Sequence, residues 1–238
     1  MHAYQSAATE GTVIEVRLLQ GGPPLTDREY EIFWATVFVI LEGEAAAAEG
    51  VDGIVIDCTT DPGYVELMES LSIPVAGALR SGIDKAIDLI GNTAKFGMIA
   101  LDANWKRMIA RQIHLLGKAN SLSSIEVSGT HVYQPDHLKG LSSIESDDIF
   151  AHLLDAGRSA RNQGCEAIVL GSTTIIAEVE PLQEALGVPV IAPGIAALRE
   201  IEAAIKKGYH TDRVSFPEPI YRYGRVMQKW LSGGVRSQ

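Results

Sequence analysis

Asp52-Gly53-Ile54-Val55-Ile56-Asp57-Cys58-Thr59-Thr60 aligns without gaps on Glu166-Ala167-Ile168-Val169-Leu170-Gly171-Ser172-Thr173-Thr174. After one inserted residue the correspondence resumes, with Ile73-Pro74-Val75-Ala76 falling on Val188-Pro189-Val190-Ile191. Each copy reads as a short β-branched strand, a polar turn, a helix, a second short strand and a helix. Any two βαβ units share a Val/Ile strand and a following turn, but not a Thr-Thr pair and a later Pro-Val at nearly equal offset. The period is about half the chain, far longer than that of solenoid repeats. This repeat predicts an α/β fold of two similar Rossmann-like lobes, each with a parallel sheet, related by a pseudo-two-fold, with the active site in the cleft between them.

Outward from the repeat, strands are expected at Thr12–Leu18, Gly53–Asp57, Ile73–Ala76, Lys95–Leu101, Ile125–Thr130, Ala167–Leu170 and Val188–Ile191. They are short and mostly apolar, as strands buried on both faces are. Helices are expected at Asp27–Glu49, Gly63–Ser70, Ser81–Ile90, Asn104–Leu116, Ser146–Gln163, Glu178–Leu186, Ile195–Lys207 and near Tyr221–Leu231. Ile32–Leu41 is rich in β-branched and aromatic residues, and only its length and the Ala45–Ala48 run favour helix. The first lobe is expected to span residues 1–90 and the second 91–207, with the segment from about 208 to 238 packing back on the first.

An apolar share of 46% with 21% charged residues excludes a disordered chain. The formal net charge of −10 speaks against a nucleic-acid partner or an anionic membrane, both of which need a basic face. The longest apolar run is about half of the ~20 residues a spanning helix needs, and the first residues carry no signal-peptide pattern. A cytoplasmic protein is therefore expected. Its two cysteines, Cys58 and Cys165, fit no disulfide framework and no metal-ligand spacing. With no G-x-G-x-x-G, P-loop or H-E-x-x-H motif, no cofactor and no metal are implied.

Cys58-Thr59-Thr60 and Ser172-Thr173-Thr174 both follow a strand, at the carboxyl edge where open parallel sheets bind ligands. Each turn offers hydroxyls and backbone N–H groups at the expected start of a helix, suited to a carboxylate or a developing enolate oxygen. A thiol placed there has its pKa lowered towards neutrality and is a general base at physiological pH. The competing reading is a small buried hydrophobe, which fits Cys165, since it precedes its strand at the opposite end. His114, His131, His137, His152 and His210 have no partner at ligand or triad spacing.

At these residues the chain resembles the aspartate/glutamate/hydantoin racemase superfamily. The segments that carry the resemblance are Gly22-Pro23, the Asp27–Leu41 region, Gly50-Val51-Asp52-Gly53 leading into Ile56-Asp57-Cys58, and Asp61-Pro62-Gly63. Pro74-Val75-Ala76-Gly77, Ile168-Val169-Leu170-Gly171 and Val188-Pro189-Val190-Ile191 continue it. Asp61-Pro62-Gly63 points to the hydantoin and allantoin racemase branch. The resemblance implies cofactor-independent proton transfer at a carbon next to a carbonyl, with two cysteines flanking a small carboxylate or ureide substrate, and a homo-oligomer. Cys58 falls on the first family cysteine. Thr59 and Thr60, with Thr173 and Thr174 from the second copy, would bind the substrate.

Two departures qualify that implication. Ser172 stands where the family has its second cysteine, and a serine hydroxyl is a poor proton carrier without an adjacent base. The alternatives are a one-cysteine decarboxylase acting on a malonate-type substrate, as in the similar arylmalonate decarboxylases, or an inactive paralogue that binds without turnover. The second departure is at the start. The family's first strand and its Asn-Pro-Asn-Thr-like loop would precede Met1, which places Thr12–Leu18 as the second strand.

Overall fold

Phe96-Gly97-Met98-Ile99-Ala100 and Ala167-Ile168-Val169-Leu170 contain no charged residue, and in the computed structural model of the chain each is a strand buried end to end. The structure describes residues 2–24, 26, 28–130, 146–224, 226 and 227. In chain order the elements are α1 (His2–Ala7), α2 (Glu29–Glu49), β1 (Ile54–Ile56), α3 (Tyr64–Ser70), β2 (Val75–Gly77), α4 (Ala78–Ile90), β3 (Phe96–Ala100) and α5 (Ala103–Leu115). They continue with β4 (Leu122–Val127), α6 (Ser146–Asn162), β5 (Ala167–Leu170), α7 (Val179–Leu186), β6 (Val190–Ile191) and α8 (Pro193–Lys206). The chain forms two units: Met1–Ile56 with Asp61–Gly77 and Ala197–Gln238, and Asp57–Thr60 with Ala78–Ala196.

The second unit is built on a parallel sheet of order β4-β3-β5-β6. Side chains alternate across it, as the two-residue period of a strand requires. Ile99, Leu101, Ile168 and Leu170 pack with Leu153, Ala156, Ala160, Leu182 and Leu186 of α6 and α7. Phe96, Met98, Ala100, Ala167 and Val169 pack on the other face with Leu79 and Ile83 of α4 and Ile109 and Ile113 of α5. The chain leaves β3 through α5 towards β4, and leaves β5 through α7 towards β6, on opposite faces of the sheet. β3 and β5 are adjacent, so a crevice opens between their carboxyl ends.

The first unit contains the parallel pair β1–β2. Val55 and Ala76 meet Ala197 and Ile201 of α8. Helix α2 ends at Gly50, whose left-handed conformation (φ 94°) lets its N–H reach Ala46 O and Ala47 O. Gly43 lets α2 close on α3, since a Cβ there would lie 2.7 Å from Leu67 Cδ2. Arg213 lies beyond α8 and donates to Met68 O, Glu69 O and Leu71 O at 3.3, 2.6 and 2.5 Å, satisfying carbonyls at the end of α3.

The repeat is visible in the register. Ile54 pairs with Val75 and Ile168 with Val190, which are equivalent positions in the two copies. The Ile54 N–H donates to Pro74 O at 3.0 Å, and the Ile168 N–H to Pro189 O at 2.9 Å. The α/β class with parallel strands in two like copies is thus as expected.

Thr12–Leu18 is a correction: it is irregular, not a strand. A strand is stable only when its backbone finds a ladder partner, and here Val13 and Leu18 are 92% and 82% exposed. Side chains anchor this segment instead. The Thr9 N–H, Thr9 Oγ1 and Thr12 Oγ1 donate to Glu202 Oε1 at 2.7, 2.9 and 2.8 Å, and Arg17 pairs with Glu15, Glu42 and Glu49. The strand expected at Ile125–Thr130 runs earlier, over Leu122–Val127, because its register is set by β3, with Phe96 opposite Leu122 and Ala100 opposite Val127. Of the last expected helix, residues 221–223 are irregular, residues 224, 226 and 227 are helical, and residues 225 and 228–231 lie outside the described residues. Among the described residues no helix is long and apolar enough to cross a membrane.

Burial works to raise the Glu202 carboxyl, but the hydrogen bonds from Thr9, Thr12 and Arg199 outweigh it and hold the group below the usual range. A depressed folded-state pKa stabilises the fold above the unfolded value, about 4.3, and that stabilisation is lost as pH falls through the folded value. Urea unfolding between pH 6 and pH 3 should therefore show an acid limb that Glu202→Gln flattens.

Candidate active site

The turn after β1 and the turn after β5 are bonded to each other through their threonines. Thr59 Oγ1 donates to Gly171 O at 2.8 Å, and Thr173 Oγ1 donates to Asp57 O at 3.3 Å. In the repeat alignment Thr59 corresponds to Thr173 and Asp57 to Gly171, so exchanging the copies exchanges the two bonds. Cys58 lies between the bonded positions of one turn and Ser172 between those of the other. Both turns belong to the second unit.

Sheet geometry explains why residues 171–174 are placed there. The Gly171 N–H donates to Ile99 O at 2.8 Å, and a Cβ on Gly171 would sit 2.6 Å from that oxygen. Only glycine fits this close approach. It holds the second turn at the crevice between β3 and β5, and the Thr59 bond brings the first turn onto the same spot.

Each candidate proton carrier has a hydroxyl two residues on. Cys58 Sγ is 3.3 Å from Thr60 Oγ1. Ser172 Oγ is 2.8 Å from Thr174 Oγ1 and accepts the Thr174 N–H at 3.2 Å. Cys58 is partly exposed, whereas Cys165 is buried. Burial, the largest influence, pushes the Cys165 thiol up and keeps it protonated. Its sulfur packs against Gly97, where a Cβ would lie 3.1 Å away.

The six expected site residues are thus brought together. Thr59 and Thr60 are buried, and the Thr59 hydroxyl proton is committed to Gly171 O; Thr174 is exposed and Thr173 half-buried. The turns are not the helix starts expected from sequence. Helix α3 begins only at Tyr64, after Gly63 (φ 77°), and α7 at Val179. Asp61-Pro62-Gly63 fills the gap. Asp61 takes a left-handed conformation (φ 47°), and its carboxyl packs so closely on Gly77 that a Cβ there would lie 2.5 Å from Asp61 Cγ. Sequence reading quoted Gly171 and Gly77 among the resembling segments but gave neither a role at the site. His114, His152 and His210 are exposed, and His131 and His137 lie outside the described residues.

Residues 1–201 match the model of the Asp/Glu/Hydantoin racemase family. The chain belongs to that family. It is 27% identical over 221 residues to the hydantoin racemase of Paenarthrobacter aurescens, covering 91% of this chain and 89% of that protein. Among solved structures, allantoin racemase from Klebsiella pneumoniae superposes with a TM-score of 0.78 at 22% identity, over 93% of this chain and 87% of that one. Arylmalonate decarboxylase superposes more distantly, with a TM-score of 0.53 at 14% identity over 76% of this chain and 79% of that one. At these identities the structural likeness is one of fold. Racemases are isomerases, so family membership agrees with the class expected from the sequence.

Thr59→Val should destabilise the protein by about 1–3 kcal/mol, because it strands the buried Gly171 carbonyl without its donor, while Thr59→Ser should recover most of the loss. Urea unfolding of the three proteins measures this.

Proposed function

We propose that this protein is a cofactor-independent racemase or epimerase acting at a carbon alpha to a carbonyl, on a hydantoin, allantoin or amino-acid-like substrate. The observation that carries the reading is the reciprocal threonine pair, which sets Cys58 and Ser172 at equivalent places in two interlocked turns. As thiolate, Cys58 takes the α-proton, and the C–H electron pair moves into the enolate. Donors of the two turns stabilise the enolate oxygen: backbone N–H groups and the hydroxyls of Thr60 and Thr174, since the Thr173 hydroxyl proton is committed to Asp57 O. Thr59 serves by holding the turns together. The Ser172 hydroxyl then gives its proton to the opposite face and regains one from water, while the Cys58 thiol releases the abstracted proton to solvent. Serine is a weak acid, so this return is the slow step. A reducing, cytoplasmic compartment would keep the Cys58 thiol available.

Ser172 favours a second reading, a one-cysteine decarboxylase. There a malonate-type substrate loses CO2 to give the enolate, and the Cys58 thiol protonates it. The arylmalonate decarboxylase fold likeness is compatible with this. We also propose a homo-oligomer, supported by Tyr30, Phe33 and Trp34, which stand exposed along α2; light scattering of the purified protein checks it.

One enantiomer of a 5-substituted hydantoin, incubated with the protein in D2O, should lose optical rotation and gain deuterium at C5. Cys58→Ala should abolish both, and Ser172→Cys should speed the loss of rotation by tenfold or more. A folded protein that leaves the hydantoin unexchanged but releases CO2 from a disubstituted malonate would replace the first reading by the second.

A further inference from the structure

The carboxyl edge of the four-stranded sheet carries another hydroxyl pair that the proton transfer does not use. Past β4 the chain reads Ser128-Gly129-Thr130. Ser128 Oγ and Thr130 Oγ1 are 2.6 Å apart, and the Thr130 N–H donates to Ser128 Oγ at 3.4 Å. The Ser172-Thr173-Thr174 turn makes the same two bonds, at 2.8 and 3.2 Å. β4 and β5 both pair with β3 and all three strands run parallel, so the two turns lie on one edge of the sheet. Two strand spacings, about 9–10 Å, separate their backbones. The ladder extends just past the strands to hold both in place: the Ser128 N–H donates to Ala100 O at 2.9 Å, the Gly129 N–H to Leu101 O at 3.0 Å and the Gly171 N–H to Ile99 O at 2.8 Å.

The chemistry of this pair is specific. Ser128 is buried and Thr130 half-buried. Ser128 Oγ also lies 3.4 Å from Ala100 O, a carbonyl that can take its proton. When it does, Ser128 accepts from Thr130; when Ser128 turns its proton to Thr130, the Thr130 hydroxyl donates outward. The pair therefore presents either a donor or an acceptor with little rearrangement. A neutral amide or ureido group, with C=O and N–H side by side, complements it. A carboxylate, which only accepts, gains less.

We infer that Ser128 and Thr130 form a specificity subsite for a neutral amide- or ureido-type substituent of the substrate. The inference rests on the proton-transfer reading, because it takes the Cys58 and Ser172 turns as the seat of the reacting carbon. The substituent then runs from β5 across the end of β3 to the turn after β4.

The test compares allantoin, a hydantoin with a ureido group at C5, with 5-methylhydantoin. Wild type, Thr130→Val and Thr130→Ser are each measured for deuterium exchange at C5 and, by calorimetry, for binding of both compounds. In Thr130→Val the preference for allantoin should fall about tenfold, the worth of one hydrogen bond, through KM rather than kcat. Thr130→Ser should restore it. A Thr130→Val protein that keeps the wild-type preference overturns the inference, as does one that loses both compounds equally. If wild type exchanges neither compound but binds them, the proton-transfer reading fails, while the calorimetric preference still decides the subsite. If it binds neither, both ideas fall.

Discussion

A hydroxyl bonded to a strand-end carbonyl, repeated once in each direction, is the contact on which the site depends. The carbonyls of Asp57 and Gly171 sit where β1 and β5 have just ended, so the ladder no longer satisfies them. Left without its donor, the buried Gly171 carbonyl would carry a desolvation cost. The threonine of the opposite turn satisfies each one. One bond alone would leave the turns free to pivot about it. Two bonds on either side of Cys58 and Ser172 fix both their separation and their rotation.

The sheet supplies the rigid base for this clamp. β3 and β5 are buried along their full length between helices on both faces, and close-packed interiors of this kind deform little. Gly171 is pressed against Ile99 O at a distance no side chain would permit. The second turn therefore inherits the rigidity of the core, and the first receives it through Thr59. Thr174 lies exposed at the end of this rigid base.

Much of this was legible in the chain itself. The repeat foretold two like copies, and the pairs Ile54–Val75 and Ile168–Val190 fall at equivalent positions in them. It also placed the six site residues in two turns. The bonds between those turns were not legible, because they join residues more than a hundred positions apart and depend on which atom each threonine points with. Thr12–Leu18 misled for a related reason. Its β-branched residues have strand propensity, but propensity is realised only beside a partner strand. The turn at residues 128–130 was hidden inside an expected strand, since Val127 and Thr130 favour β structure while register with β3 ends the pairing at Val127. Asp61-Pro62-Gly63 read as a family signature; its physical content is a left-handed aspartate lodged on Gly77.

Arg213 has a consequence for the order in which the molecule can be made. Its guanidinium closes the end of α3, the helix that follows the Cys58 turn, and Glu202 likewise secures Thr9 and Thr12. As the ribosome releases the chain from its amino end, the sheet of the second unit emerges complete while the first unit still waits for these late residues. The part synthesised first is thus the part finished last, and a nascent chain halted before residue 213 would carry every group of the candidate site while α3 still lacked the guanidinium that closes its end.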